Sequence, residues 1–249
     1  MTLRIALHVP GPPGIRVRKA LLAEPDVEAR ILHEEPGQQG NAGASGVTGC
    51  NVLTVNAISS VSRPLVDEAV SKGIPVVVGE ELPARYPVAD GTFVTRARRE
   101  AGLAAAVALS MLDPSNPPVE TRLAWTVPGR PLGTGLPVTF PEPMGPQWAG
   151  RDDNLLPWPS VTCLAAPVHS QWMGISIRTR TNEHGREPVR TLGITDEAAF
   201  LKALCLVSAT LAAARDAYPP GVSTPADPGG VFMRLARAAG LEIAEFKPD

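Results

Sequence analysis

The sequence predicts an α/β fold: an N-terminal parallel sheet flanked by helices, then a second α+β domain of mostly antiparallel strands. Three observations predict it. From Leu3 to Leu112, apolar runs of strand length alternate with stretches of helical periodicity, the order from which parallel βαβ units are built. The break Asp113-Pro114-Ser115-Asn116-Pro117-Pro118 then stops a long alanine-rich stretch, as proline clusters do. Beyond it, strand-like runs follow one another through Pro- and Gly-rich turns with no crossover-length helix between them, which favours antiparallel pairing. The boundary is placed there, giving domains over residues 1–113 and 114–249, a division that suits the length of the chain.

Leu3 to Val9 is a short apolar run. It is too short for a secretory h-region with its cleavage site, and a bilayer span takes about 20 residues. It is read as the first strand. Pro10-Gly11-Pro12-Pro13-Gly14 is a loop, since proline removes donors and glycine frees the backbone. Ile15 to Ala23 follows as a helix, with Ile15, Val17, Leu21 and Leu22 available for burial and Pro25 ending it. Val27 to Leu32 alternates apolar and polar residues, the period of a strand. Strand, glycine loop, helix and strand make one βαβ unit.

Pro36 to Cys50 is rich in Gly, Gln, Asn and Ser and reads as an excursion in place of the next helix. Asn51 to Ala57 resumes strand character. The helix after it is well punctuated, with Ser62 as N-cap, Pro64 in the first turn and Gly73 at the C-terminal cap. Ile74 to Val78 is a buried-type strand, and Arg96 to Leu112 a helix. In the second half, Val119–Val127, Leu136–Phe140, Val161–Pro167, Met173–Arg180 and Val189–Ile194 read as strands. Thr195 is the expected N-cap of a helix from Asp196 to about Ala217. A last helix spans about Gly230 to Ala239 and closes at Gly240, and Leu241 to Phe246 reads as a final strand.

Composition excludes several function classes. At 44% hydrophobic and 19% charged residues, the chain can bury an ordinary core. A net charge of −2 gives no general attraction to nucleic acid or to anionic membrane. Aromatics at 4% argue against a stacking platform for single strands. Cys50, Cys163 and Cys205 stand far apart and odd in number, which indicates neither a disulfide framework nor a zinc site and suits a reducing, cytoplasmic compartment. Asp152-Asp153-Asn154 lacks further ligands at a useful spacing, so no metal is expected. Neither a GxSxG elbow nor a Walker A loop occurs.

The residues that point to chemistry begin at the first loop. A dinucleotide turn needs glycines for a tight bend, for close approach to the pyrophosphate and for helix–strand packing. Gly11 and Gly14 stand at the second and third of these positions, and Val9 where the first would be. Pro12 and Pro13 remove two amide donors. Gly11, Pro12, Gly14 and Ile15 are therefore the candidate phosphate-binding residues, weighed against a Rossmann-shaped fold whose nucleotide site has decayed. Glu34, followed by Glu35, lies about 20 residues beyond Gly14, where a ribose-binding carboxylate is expected. A carboxylate favours NAD, while His33, Arg16 and Arg18 nearby leave NADP open. Asn56, Ala57 and Ser59 stand at the carboxyl end of a strand, the side on which open parallel sheets bind ligands. Gly79-Glu80-Glu81 occupies the same end of the next strand.

In the second half His169 is a candidate acid or base. Arg178 and Arg180, two apart on one strand, share a face on which they could clamp a carboxylate. The other reading of that strand is a solvent-facing one. These three are the candidate substrate-binding residues, and no residue is singled out as catalytic. Trp125, Trp148, Trp158 and Trp172 are read as core or subunit-interface anchors.

This layout resembles the two-domain NAD(P)-binding oxidoreductases related to dihydrodipicolinate reductase, homoserine dehydrogenase and the Gfo/Idh/MocA group. The resemblance runs from Leu3 to about Glu81 by Rossmann-like pattern and beyond that by architecture. It implies NAD or NADP as cofactor, a small polar metabolite as substrate held between two domains, hydride transfer as the reaction, and a homo-oligomer such as a homodimer. The paired-histidine and lysine signature of dihydrodipicolinate reductase is absent. Where Gfo/Idh members carry Glu-Lys-Pro, this chain has Gly79-Glu80-Glu81-Leu82-Pro83, so no catalytic residue carries over. Two further readings stay open: a non-catalytic protein that keeps the scaffold with a degenerate nucleotide site, and a nucleotide- or coenzyme-A-binding domain of ligase type.

Overall fold

A computed structural model describes residues 2–32, 46–83, 86, 91–110, 118–128, 161–168, 171–182, 188–226 and 230–246. The expected strand Leu136–Phe140 lies outside them. Strand β1 (Leu3–His8) buries Leu3, Ile5, Ala6 and Leu7, so both of its faces are covered, as in a parallel sheet sandwiched by helices. Helix α1 (Pro12–Leu22) starts earlier than expected. Pro12 and Pro13 form its first turn, where a missing N–H costs nothing and the fixed φ is already helical. Gly14, Val17 and Leu21 make its buried stripe. Ile15 and Leu22, expected to be available for burial, are 70% and 50% exposed, because they fall on the opposite side of the 3.6-residue period.

Strands β2 (Val27–Ile31), β3 (Val52–Val55), β4 (Val76–Val78) and β5 (Thr92–Val94) continue the first sheet, with helix α2 (Arg63–Ser71) between β3 and β4. Gly73 ends α2 with φ 66°. Its N–H bonds the Val70 carbonyl at 3.0 Å and the Ile74 N–H bonds that of Ala69 at 2.9 Å, a Schellman closure. Ser62 holds the N-cap position, but its side chain makes no cap hydrogen bond. Its hydroxyl donates instead to the Ala57 carbonyl at 2.8 Å. Helix α3 (Glu100–Ser110) begins later than Arg96, which adopts a left-handed φ of 59°.

The second half supplies strands β6 (Glu120–Pro128), β7 (Val161–Val168), β8 (Trp172–Arg180) and β9 (Val189–Glu197), helix α4 (Ala198–Ala214), strand β10 (Gly221–Ser223), helix α5 (Val231–Ala238) and strand β11 (Ala244–Phe246). The first sheet has the order β10-β5-β4-β3-β1-β2 and is parallel throughout. The second has the order β11-β9-β8-β6-β7. It is antiparallel at β11–β9, β9–β8 and β8–β6, whereas β6 and β7 pair in parallel. That pair departs from the antiparallel expectation. The chain between Pro128 and Val161 is long enough for the crossover a parallel pair requires.

Thr195 and Asp196, expected to start a helix, belong to β9 and pair with Gly174 and Met173 of β8. A complete ladder outweighs a local capping preference there. Two elements from the second half, α4 and β10, return to the first sheet. Helix α4 packs on β1, β3 and β4 and also on β8 and β9, so it is buried almost all round. A polar tie joins it to the first sheet. Thr210 donates to the Leu206 carbonyl at 2.7 Å and accepts from the Thr54 hydroxyl at 2.9 Å. Among the described residues, no helix is long and apolar enough to cross a membrane.

Candidate functional site

The chain leaves β1 for β2 on one side and returns to β3 on the other. The crevice of an open α/β sheet lies at such a reversal, outside the carboxyl ends of the two strands. Here it is bounded by the Val9–Gly14 turn and by Asn56–Ser59. Gly11 adopts φ 76°, ψ −171°, a conformation open in practice to glycine alone. Gly14 is fixed by space rather than torsion. A Cβ built on it would lie 1.7 Å from the Val9 carbonyl oxygen and 2.8 Å from its carbon. That is the close helix–strand approach asked of the third glycine.

The phosphate-binding part of the turn is different. A helix start ordinarily offers four unpaired N–H groups. In α1, Pro12 and Pro13 have none, and the Gly14 N–H turns back to the Gly11 carbonyl at 3.0 Å, joined there by the Ile15 N–H at 3.4 Å. Hydrogen bonds to a charged group contribute about 1.5–3 kcal/mol each. Two missing donors therefore remove about 3–6 kcal/mol from pyrophosphate binding, on the order of 10²–10⁴ in affinity. The residues at this turn do not fit a dinucleotide held in the usual way.

Across the crevice, the Asn56–Ser62 segment is largely self-satisfied. The Asn56 N–H donates to the His8 carbonyl at 3.3 Å. The Ser59 N–H donates to the Ser62 hydroxyl at 2.9 Å, and the Ser62 N–H to the Ser59 hydroxyl at 3.3 Å. Ala57 spends its carbonyl on Ser62. His8, half-buried at the end of β1, faces the Leu32 carbonyl through Nδ1 at 3.0 Å.

Beside Asn56 stands the expected Gly79-Glu80-Glu81 segment, joined by three arginines that sequence reasoning did not connect to it. Gly79–Leu82, at the end of β4, meets the turn Thr95–Arg99 that leads into α3. The Arg96, Ala97 and Arg98 N–H groups bond the carbonyls of Glu80, Val78 and Gly79. The Thr95 hydroxyl donates to the Glu80 carbonyl at 3.1 Å and accepts from the Leu82 N–H at 3.2 Å. Arg96 pairs with Glu81 at 3.4 Å and Arg99 with Glu80 at 2.8 Å. Arg98 reaches across to donate to Asn56 Oδ1. The available signal was three arginines within four residues opposite Gly79-Glu80-Glu81.

Arg178 and Arg180 are placed elsewhere, on the outer face of the second sheet. Glu197, which holds Arg16 of α1 through two contacts of 3.1 Å, is in register with Trp172. Arg178 lies six residues further along β8, about 20 Å at the rise of a strand. The two arginines are therefore not brought to the crevice. Arg180 and Arg122 both bind Glu120, at 3.1 and 2.6 Å, and Arg178 stands directly opposite Arg122. With Val189 they line a shallow pocket of about 50 Å³. Glu34 and His169 lie outside the described residues. Among the described residues, no group of three or more His, Cys, Asp or Glu side chains could hold a metal.

The Arg122 hydrogen bond holds the Glu120 carboxyl below the ordinary carboxylate range, against desolvation and aided by the charges of Arg122, Arg180 and Arg178. A depressed folded pKa contributes stability that is present above the unfolded value and lost as pH falls through the folded one. Glu120→Gln is expected to lower stability at neutral pH and to flatten its decline on acidification below about pH 4.5. Urea midpoints across the acid range measure this. Parallel curves for the two proteins would show that Glu120 has no such role.

No protein-family model matches the sequence, and no curated protein matches it. Solved structures do match. Apo saccharopine dehydrogenase (L-Glu forming) from Saccharomyces cerevisiae is similar with a TM-score of 0.58 at 8% identity, over 98% of this chain and 100% of that one. The chain shares the fold of that enzyme, a Rossmann-like parallel sheet followed by a mostly antiparallel one. Also similar are a meso-dapdh variant with DAP from Clostridium tetani E88 (TM-score 0.49, 13% identity, 90% of this chain and 93% of that one) and dipicolinate-bound dihydrodipicolinate reductase from Paenisporosarcina sp. TG-14 (TM-score 0.47, 9% identity, 90% and 98%). At these identities the likeness concerns the fold alone.

Proposed function

We propose that this chain is an oxidoreductase-like protein that keeps the Rossmann crevice without its dinucleotide grip, and works as a non-catalytic binding or assembly module. One observation carries the reading: the first turn of α1 lacks the Pro12 and Pro13 amides and spends the Gly14 amide on Gly11. The departure from Glu-Lys-Pro at Gly79–Pro83 agrees with it. Assembly as a homo-oligomer is part of the proposal. The outer face of the second sheet, with Trp172 and Phe246 exposed, is the surface offered to a second copy. The free thiols of Cys50 and Cys205 suit a cytoplasmic protein.

The second reading is an NAD(P)-dependent oxidoreductase acting on a small polar metabolite. It is favoured by Gly11 and Gly14, which keep the conformation and the close packing that a pyrophosphate turn requires. Its cofactor, NAD or NADP, would lie along Gly11, Pro12, Gly14 and Ile15, with Asn56, Ala57 and Ser59 opposite and Glu34 toward the ribose.

A thermal-shift titration with NAD, NADH, NADP, NADPH and coenzyme A separates the readings. A ligand at a hundredfold excess over Kd adds about 2.7 kcal/mol, or roughly 5–10 °C for a chain of this size. The scaffold reading expects no shift from any of the five at about 1 mM. A saturable shift with a nicotinamide nucleotide in the micromolar range would overturn it in favour of the oxidoreductase. One confined to coenzyme A would overturn it in favour of the ligase-type domain.

A further inference from the structure

We infer that the carboxyl ends of β3, β4 and β5 form a binding site for a small carboxylate, with the Arg98 guanidinium as its anchor. The inference rests on the crevice being a ligand site, as proposed above, but not on the fate of the dinucleotide.

The placement of Arg98 is built from three sides. Arg96 takes a left-handed conformation, unfavourable for a residue with a Cβ, and so bends the chain that the Arg98 N–H meets the Gly79 carbonyl at 3.0 Å. The side chain then lies across Gly79. A Cβ there would come within 2.6 Å of Arg98 Cδ and 2.9 Å of the Asn56 carbonyl oxygen, so the glycine makes the path. At the far end, Asn56 Oδ1 receives one guanidinium N–H. The stem and head of Arg98 are thus fixed at the rim of the crevice, and the ordering entropy of a long side chain is spent before any ligand arrives.

Charge decides the ligand class. Arg96 and Arg99 are matched by Glu81 and Glu80, whereas Arg98 meets the neutral amide of Asn56. Among the described residues no carboxylate is paired with Arg98, so its positive charge is left for a ligand at the strand ends. A guanidinium has five donors in a planar fork that suits a carboxylate, and Asn56 occupies one of them. A single unmatched charge fits one carboxylate better than a phosphate dianion.

The test is calorimetric titration of the full chain with acetate, succinate and inorganic phosphate, each against sodium chloride of equal ionic strength. Acetate and succinate are expected to bind saturably, at least tenfold more weakly in Arg98→Gln, with partial recovery in Arg98→Lys. Arg234→Gln, an exposed charge on α5, should leave binding unchanged. Asn56→Ala, which leaves Arg98 in place but unheld, should weaken binding by a smaller factor and covers the case in which Arg98→Gln fails to fold. Carboxylate binding equal to that in chloride, binding undiminished in both Arg98→Gln and Asn56→Ala, or tighter binding of phosphate would each overturn the proposal. These outcomes are independent of the nicotinamide titration, which alone decides the scaffold reading.

Discussion

Gly14→Ala is expected to destabilise the protein by at least about 3 kcal/mol, or to leave no folded protein at all. The added methyl would sit 1.7 Å from the Val9 carbonyl oxygen. Both sides of that contact are backbone, so no rotamer change relieves it. Helix α1 would have to lift from β1, and with it would go the burial of Val17 and Leu21, both now fully enclosed. Gly73→Ala makes the informative comparison. Gly73 has a left-handed φ of 66° but nothing within 4 Å of a built Cβ, so its cost is torsional alone, about 1–2 kcal/mol. Urea unfolding of the two variants should separate by about 1 kcal/mol or more, with Gly14→Ala the weaker. In a chain of this size each kcal/mol moves Tm by about 2–4 °C, which makes Gly14→Ala some 6–12 °C less stable than the parent. Equal midpoints would mean that α1 does not pack on β1 as closely as described.

Gly14 is legible in the sequence because its role is local: between a strand and the helix that follows it, a residue without a side chain lets the two backbones meet. The same holds for β1, β3 and β4, whose apolar residues are buried on both faces, and for β2, whose alternation is its own signature. What was not legible depends on partners distant in sequence. Thr92–Val94 and Gly221–Ser223 are too short to carry a period, and they are strands because they pair with each other and with β4. The direction in which β6 meets β7 is not encoded in the periodicity of either. Thr195 and Asp196 have helix-start chemistry, yet β8 claims them. In the site, Arg98 and Asn56 are 42 residues apart, and the left-handed turn at Arg96 that joins them leaves no mark in residue type. Arg178 and Arg180 do share a face, as their spacing requires. Their partner Glu120 lies across a strand pair, which spacing alone cannot reveal.

Restoring the amides of α1 is expected to restore nucleotide binding. In the double variant Pro12→Ala, Pro13→Ala, two N–H groups return at the start of a helix whose dipole already points its positive end at the crevice. Gly11 and Gly14 stay as they are, so the bend and the close packing persist. At about 1.5–3 kcal/mol for each donor, affinity for the dinucleotide should rise on the order of 10²-fold or more over the parent. The fold should tolerate the change, since both residues lie in the first turn, Pro12 is exposed and Pro13 half-buried, and alanine is the best helix former. The readout is the thermal shift with NADH and NADPH, parent against variant. A gain in the variant over a silent parent would place the defect at these two positions and leave the rest of the crevice competent. Silence in both would mean that the crevice rejects a dinucleotide for a further reason. The direct candidate is then Arg98, whose guanidinium beside Asn56 occupies the space at the ends of β3 and β4. Binding by the parent equal to that of the variant would mean that the missing donors are dispensable, and the oxidoreductase reading would replace the scaffold.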